Sequence, residues 1–158
     1  MNSSRGNKRP VRVLVVDDDH DDCLLIREAF EENQIRSKLD FVHDGEQLMC
    51  YLLRRPPYQS ETGHPLPELI LLDLNMPRMD GREALNEIRK DPQLCCIPVI
   101  VMSTSSSRQE IVQCYQSGAS SFITKPVSYS ALIDMVGILG KYWLDLVELP
   151  TLDQSLEI

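Results

Sequence analysis

Asp17 and Asp18, Asp73, Ser103 and Lys125 are residue types that can do chemistry together, and each closes a short apolar run. Val11-Arg12-Val13-Leu14-Val15-Val16 runs into Asp17-Asp18, and Leu69-Ile70-Leu71-Leu72 runs into Asp73. Ile97-Pro98-Val99-Ile100-Val101-Met102 leads to Ser103-Thr104, and Ser121-Phe122-Ile123-Thr124 leads to Lys125. Three carboxylates converging within about 4 Å repel by roughly 4 kcal/mol per pair at an effective dielectric of about 20. Such a site must be protonated, paired with cations or filled by a metal. One or two carboxylates with several waters is the all-oxygen ligation that Mg2+ prefers. Lys125 then supplies an ammonium and Ser103 a hydroxyl, the donor types that grip phosphoryl oxygens. A carboxylate such as Asp73 can itself be the covalent acceptor in phosphoryl transfer, with metal and lysine neutralising the developing charge. Taken singly, each residue has a plainer reading. Asp17 to Asp22 would be an acidic first helical turn, Ser103 to Ser107 a capping loop, and Lys125 a surface residue. Their joint placement at four strand ends favours a site.

The positioning elements follow from period and punctuation. An apolar run as short as Leu69–Leu72, lying between Pro67 and Pro77, reads as a strand buried on both faces of a parallel sheet. Ile26, Ala29, Phe30 and Asn33 keep helical spacing over His20 to Asn33, and Leu39 to Val42 is a second strand. Leu48, Met49, Leu52 and Leu53 define a helix from Glu46 to Arg54. The 55–67 segment, with four prolines and one glycine, excludes regular structure. Ala84, Leu85 and Ile88 mark a third helix ending before Asp91-Pro92. A fourth spans Arg108 to Ser117 and stops at Gly118. Leu132, Met135, Val136, Leu139, Trp143 and Leu146 put one apolar side on a last helix over Ser128 to Val147. Alternating strands and helices with right-handed crossovers predict a doubly wound α/β sandwich. Its strand ends share one edge, where ligands bind in such sheets.

Composition narrows the function. A chain of 158 residues suits one compact domain, and a net charge of −8 argues against a nucleic-acid surface. No run is long and apolar enough to span a bilayer, and the polar, basic 1–10 leader has no signal-peptide core. Five cysteines without metal-ligand spacing read as reduced thiols in a cytoplasmic protein.

The set Val16-Asp17-Asp18, Leu72-Asp73-Leu74-Asn75-Met76-Pro77, Asp80-Gly81, Met102-Ser103-Thr104 and Thr124-Lys125-Pro126 closely resembles the receiver domain of two-component response regulators. The resemblance runs from about Arg12 to Tyr142. It implies the flavodoxin-like strand order 2-1-3-4-5, with Asp73 as phosphoacceptor. Mg2+ would be held by Asp18, Asp73 and the backbone carbonyl of Asn75, with Asp17 acting through water. Ser103 would be the switch hydroxyl, Lys125 the phosphate-binding lysine and Phe122 the aromatic switch. The Lys125–Pro126 bond would be cis. Because Asp19 extends the acidic pair, the assignment of Asp17 and Asp18 rests on the length of the first strand.

The acidic run, the Pro-rich loop, Ser103-Thr104-Ser105 and the tail from Tyr142 to Pro150 look like the stand-alone regulators paired with cyanobacterial phytochromes. That implies a sensor histidine kinase of the bacterial phytochrome type as partner. The protein would be a signalling switch rather than a metabolic enzyme, promoting its own Mg2+-dependent phosphorylation and dephosphorylation. On this reading residues 11–142 are the receiver, and the 143–158 tail is too short for an output domain. The surplus of apolar residues at Tyr142, Trp143, Leu144, Leu146, Val147 and Leu149 then suggests a homodimer contact. A receiver-like scaffold that works without phosphorylation would need a broken pocket. A flavodoxin would need a hydroxyl- and glycine-rich phosphate loop after the first strand. A haloacid-type phosphatase would want an acid where Asn75 stands.

Overall fold

Alternating apolar positions on the strands sort the core into two layers. The computed structural model describes residues 9–58, 65–76 and 79–152. Its strands are β1 (Val11–Val16), β2 (Ser37–Val42), β3 (Leu69–Asp73), β4 (Val99–Ser103) and β5 (Ser121–Thr124). All neighbours pair in parallel, in the order β2-β1-β3-β4-β5. The helices are α1 (His20–Glu32), α2 (Gly45–Leu52), α3 (Gly81–Lys90), α4 (Arg108–Gln116) and α5 (Tyr129–Leu139). Successive strand residues face opposite sides of the sheet. Leu14, Val16, Ile70, Leu72, Val99 and Val101 therefore pack with Leu48, Leu52, Leu85, Ile88 and Cys114 of α2, α3 and α4. Val13, Val15, Leu69, Leu71, Ile100 and Met102 pack with Ile26, Phe30, Val136 and Leu139 of α1 and α5. Every residue of β3 and β4 is buried, as strands covered on both faces require.

Each of these helices starts on a side-chain cap, which accepts a bond from an otherwise orphaned N–H. The caps are Asp19, Asp44, Asp80, Ser107 and Ser128. Asp19 accepts from the N–H groups of Asp21 and Asp22. Its carboxylate is thereby used by the helix, which leaves Asp17 and Asp18 as the pair at the strand end.

The expected last helix divides in two. After α5 the chain continues as a π-helix over Gly140–Leu146. A π turn holds more residues than an α turn and rotates the side chains that follow. Trp143 and Leu144 pack on the α1/α5 layer, whereas Leu146, expected on the buried side, is 66% exposed. The expected cis bond is also corrected. Among the described residues the cis peptide joins Pro56 and Pro57. Lys125–Pro126 adopts the intrinsically favoured trans form, with the Lys125 N–H bonded to the Ser103 carbonyl at 2.8 Å.

Arg9 and Thr151, near the two limits of the described residues, meet at Glu68. Buried Glu68 takes both guanidinium nitrogens of Arg9, at 3.0 and 3.1 Å, and the hydroxyl of Thr151 at 3.4 Å. Arg9 thus anchors the end of the expected leader, whose residues 1–8 lie outside the described residues. Tyr58 and Leu66 pack on the core at either end of the Pro-rich loop, while 59–64 lie outside the described residues.

Gly81 sets α3 against the end of β3. A Cβ there would sit 2.6 Å from the Asp73 carbonyl oxygen and 2.7 Å from Leu74 Cα, both backbone atoms that cannot swing aside. Gly81→Ala is expected to lower stability by about 1–3 kcal/mol through overpacking. Urea unfolding checks this, and an unchanged midpoint would show that the contact relaxes freely.

Candidate phosphorylation site

The strand register brings the acids side by side. Val16 pairs with Leu72, so Asp17 and Asp73 leave adjacent strands at the same level and on the same face. Both are buried, at 0% and 4% exposure. Each accepts the N–H two residues on, Asp17 Oδ1 from Asp19 at 3.0 Å and Asp73 Oδ1 from Asn75 at 3.1 Å. These Asx turns aim each second oxygen into the space between the strands. Asp18 is exposed at the rim. One carboxylate oxygen from each of Asp17, Asp18 and Asp73 lies within 4.8 Å of the others.

Lys125 arrives from the far side. Ser103 pairs with Thr124, so the next residue stands just beyond the sheet's carboxyl edge. Its Nζ lies 2.9 Å from Asp17 Oδ2, 3.1 Å from Asp22 Oδ2 and 3.4 Å from Asp73 Oδ2. Burial pulls the ammonium's pKa down, but the bond and charge of Asp17, with Asp73 and Asp22, more than offset this and hold it above the usual lysine value. Lys125 therefore stays charged. Burial likewise pushes the Asp73 carboxyl up, to about 6, against the pull of Lys125 and the Asn75 N–H.

A divalent cation fits this donor set. The buried Asp17 Oδ2 pairs with the Lys125 ammonium at 2.9 Å, and its remaining lone pair can take a metal or its water. Asp73 carries two further lone-pair directions, and Asp18 is open to solvent. A carboxyl whose ionisation is opposed by burial and by neighbouring acids is relieved by a bound cation.

Ser103 is fully buried and faces the α4 side of the sheet. Its hydroxyl donates to Glu110 Oε1 at 2.9 Å and accepts the Ser105 N–H at 3.1 Å. Glu110 in turn pairs with Arg82 at 3.2 Å. Phe122 lies on β5, level with Val101 and partly buried against the same layer, and its N–H bonds the Tyr115 hydroxyl. Asn75 is exposed beside Asp73, and Pro77 lies outside the described residues.

Sequence reasoning did not single out Asp22 and Glu110. Asp22 was visible only as part of an acidic run, and Glu110 as an ordinary acid in a helical first turn. No local signal pairs either with a residue on another element. Cys23, whose thiol donates to the Asp17 carbonyl, is pushed by burial up to about 12, which disfavours the thiolate. All five cysteines are free.

A parallel sheet of this order, with acids, a hydroxyl and a lysine on its carboxyl edge, defines a phosphoryl-accepting receiver. The chain belongs to that family: the response regulator receiver domain matches residues 13–137. It is 36% identical to the response regulator Rcp1 of Synechocystis sp. over 89% of this chain and 94% of the relative. A manganese-bound structure of Rcp1 superposes with a TM-score of 0.82 at 35% identity, over 90% of this chain and 100% of the other. The phosphorylated cyanobacterial phytochrome response regulator RcpA gives 0.83 at 37% identity, covering 90% and 99%. The response regulator RPA3017, described in red light signalling of R. palustris, gives 0.84 at 35% identity, covering 89% and 99%.

Proposed function

We propose that this protein takes a phosphoryl group from a sensor histidine kinase onto Asp73 and passes the signal on through its own surface. The observation that carries this is the meeting of Asp17, Asp18 and Asp73 at the edge of the sheet, with Lys125 paired to Asp17 and Asp73. An oxygen of Asp73 attacks phosphorus, the P–N bond to the kinase imidazole breaks, and the ring nitrogen keeps the electron pair and takes a proton. Lys125 binds a phosphoryl oxygen, and Ser103 turns to bind another. The space that Ser103 leaves lets Phe122 move inward, which changes the α4–β5–α5 face. Mg2+ is the ion proposed, held by Asp18, Asp73 and the Asn75 carbonyl, with Asp17 through water. When bound it neutralises charge on the transferring group. The same pocket would hydrolyse the acyl phosphate.

The likeness to RcpA and RPA3017 supports a bacterial phytochrome as the sensor. No helix among the described residues is long and apolar enough to cross a membrane; membership of the receiver family supports a cytoplasmic location. The test is phosphotransfer: a phosphorylated bacterial phytochrome kinase should label this protein only with Mg2+, in a hydroxylamine-sensitive bond. Labelling that survives hydroxylamine, or proceeds in chelator, would overturn this reading.

Metal and proton should compete at Asp73. Its folded pKa lies above the ordinary 3.8, so the native state binds this proton more tightly than the unfolded chain. The metal-free protein therefore loses stability as pH rises from about 4 through about 6. Mg2+ needs the ionised form, so its affinity is expected to fall about tenfold per pH unit below 6. Its stabilising effect on thermal unfolding should be larger near pH 7.5 than near pH 5. An equal shift at both values would place the metal elsewhere.

A second copy of the chain is proposed to cover the stripe Ile138, Tyr142 and Leu146. These residues recur every fourth position and are 69%, 50% and 66% exposed. On this reading 11–142 form the receiver and the residues after it extend the contact. Leu146→Glu is expected to weaken the dimer at least about tenfold, seen by sedimentation. A wild-type monomer would rule the dimer out, and an unaffected dimer would move the contact.

A further inference from the structure

We infer that Glu110, through its bond to Ser103, is a positioning residue that holds the switch hydroxyl in its resting place and so sets how readily Asp73 becomes phosphorylated. The inference rests on the phosphoryl-acceptor reading of Asp73 and Ser103.

The resting hydroxyl is doubly committed. Ser103 gives its one proton to Glu110 Oε1 at 2.9 Å, and its oxygen takes the Ser105 N–H at 3.1 Å. Ser103 is 0% exposed and the Glu110 side chain only 15%, so water competes poorly for this bond. A hydroxyl has one proton to give. It cannot serve Glu110 and a phosphoryl oxygen together. Phosphorylation must therefore break a charge-assisted hydrogen bond, the stronger kind.

Two features keep Glu110 in place without Ser103. Its N–H is bonded by the Ser107 side chain at the start of α4, and its second carboxylate oxygen pairs with Arg82 at 3.2 Å. Arg82 belongs to α3, directly after Gly81, which packs on the Asp73 backbone. The latch therefore joins the acceptor strand, the switch strand and the helix that carries the signal. When Ser103 leaves, Glu110 keeps Arg82 as a partner, so opening strands no charge. A buried carboxylate without that partner would resist opening strongly. Arg82 makes the switch reversible, and Glu110 sets its bias.

Removing the carboxylate should favour the phosphorylated form. Hydrogen bonds to charged groups are stronger than those between neutral groups, and the phosphoryl oxygens return much of that strength to wild-type Ser103. Glu110→Ala is therefore expected to bind beryllofluoride, with Mg2+, about tenfold more tightly than wild type. The decisive measurement is a double-mutant cycle with Ser103→Ala, read by calorimetry on the full chain. If Glu110 acts through the hydroxyl, Glu110→Ala has no effect on beryllofluoride affinity in the Ser103→Ala background. An equal gain in both backgrounds, or no gain in wild type, overturns the latch. Urea unfolding of each variant separates either result from a general loss of stability. Failure of wild type itself to bind beryllofluoride would instead overturn the acceptor reading.

Discussion

Asp73→Asn is expected to abolish phosphoryl uptake from a histidine kinase while leaving the protein folded. The amide has the shape of the carboxylate, and its carbonyl oxygen can still accept the Asn75 N–H now bonded at 3.1 Å. What disappears is the anionic oxygen that must form the bond to phosphorus. Stability should not fall with activity. Burial holds the Asp73 pKa at about 6, so ionisation costs the native state free energy at neutral pH. The neutral amide removes that cost, about 3 kcal/mol at most, a figure in which the attraction of Lys125 is already counted. The variant should therefore match or exceed wild type in urea above pH 6, lose that advantage near pH 4, and take up no label. Labelling at the wild-type rate would mean that another residue is the acceptor. A collapse in stability would mean that Asp73 is structural.

Lys125→Met should separate two roles of one ammonium. Methionine keeps the length of the side chain and removes a charge that lies within 3.4 Å of three carboxylates. Removing one partner from a buried ion pair typically costs about 3–5 kcal/mol. The loss should be smaller below pH 6, where Asp73 takes up a proton instead. Mg2+ should restore part of this stability, because a cation of either kind relieves the carboxylates. It should not restore phosphotransfer, which is expected to fall by roughly 10²–10³, the usual effect of removing one preorganised donor from a developing anion. Stability in chelator and in Mg2+, measured beside the transfer rate, checks both halves. A variant that Mg2+ returns to the full rate would show that Lys125 serves only the resting protein.

These expectations came from residues that announce themselves locally. The ends of β1, β3 and β4 are legible because a stretch of strand buried on both faces must be apolar, so the first polar residue marks its end. Asp17, Asp73 and Ser103 stand at those boundaries, and Lys125 follows the short, partly exposed β5 just before Pro126. The helix starts were legible for a similar reason, since Asp80 and Ser107 are short acceptors placed just before an apolar period. The last helix was harder. Leu132 to Leu146 fits α spacing in sequence, but the chain turns to π geometry at Gly140, where a side chain would press on Ile35 at 2.8 Å. That contact joins the loop between α1 and β2 to the start of the π-helix, and periodicity within one element does not reveal it.

Polar partners were the least legible part. Asp22 and Lys125 stand 103 positions apart, and Asp73 and Lys125 stand 52 apart. Ser103 and Glu110 are close in sequence, but their bond depends on how the loop before α4 returns to the sheet. Charge alone does not say which acid a lysine or hydroxyl will meet, because the surface offers many and each pairing is weak outside the interior.

The sequence by itself determined where the buried strands stop and which chemistry stands at their ends: acids for a cation and an acceptor, a hydroxyl and an ammonium for phosphoryl oxygens. Tertiary structure alone decided how those groups are poised. Parallel register set Asp17 beside Asp73, the α1 turn added Asp22 to Lys125, and the packing of α4 gave the Ser103 proton to Glu110. The physical reason is range. Hydrophobic period and capping act within a few residues, whereas ion pairs and buried hydrogen bonds take their strength from neighbours that only the folded core brings together and dries.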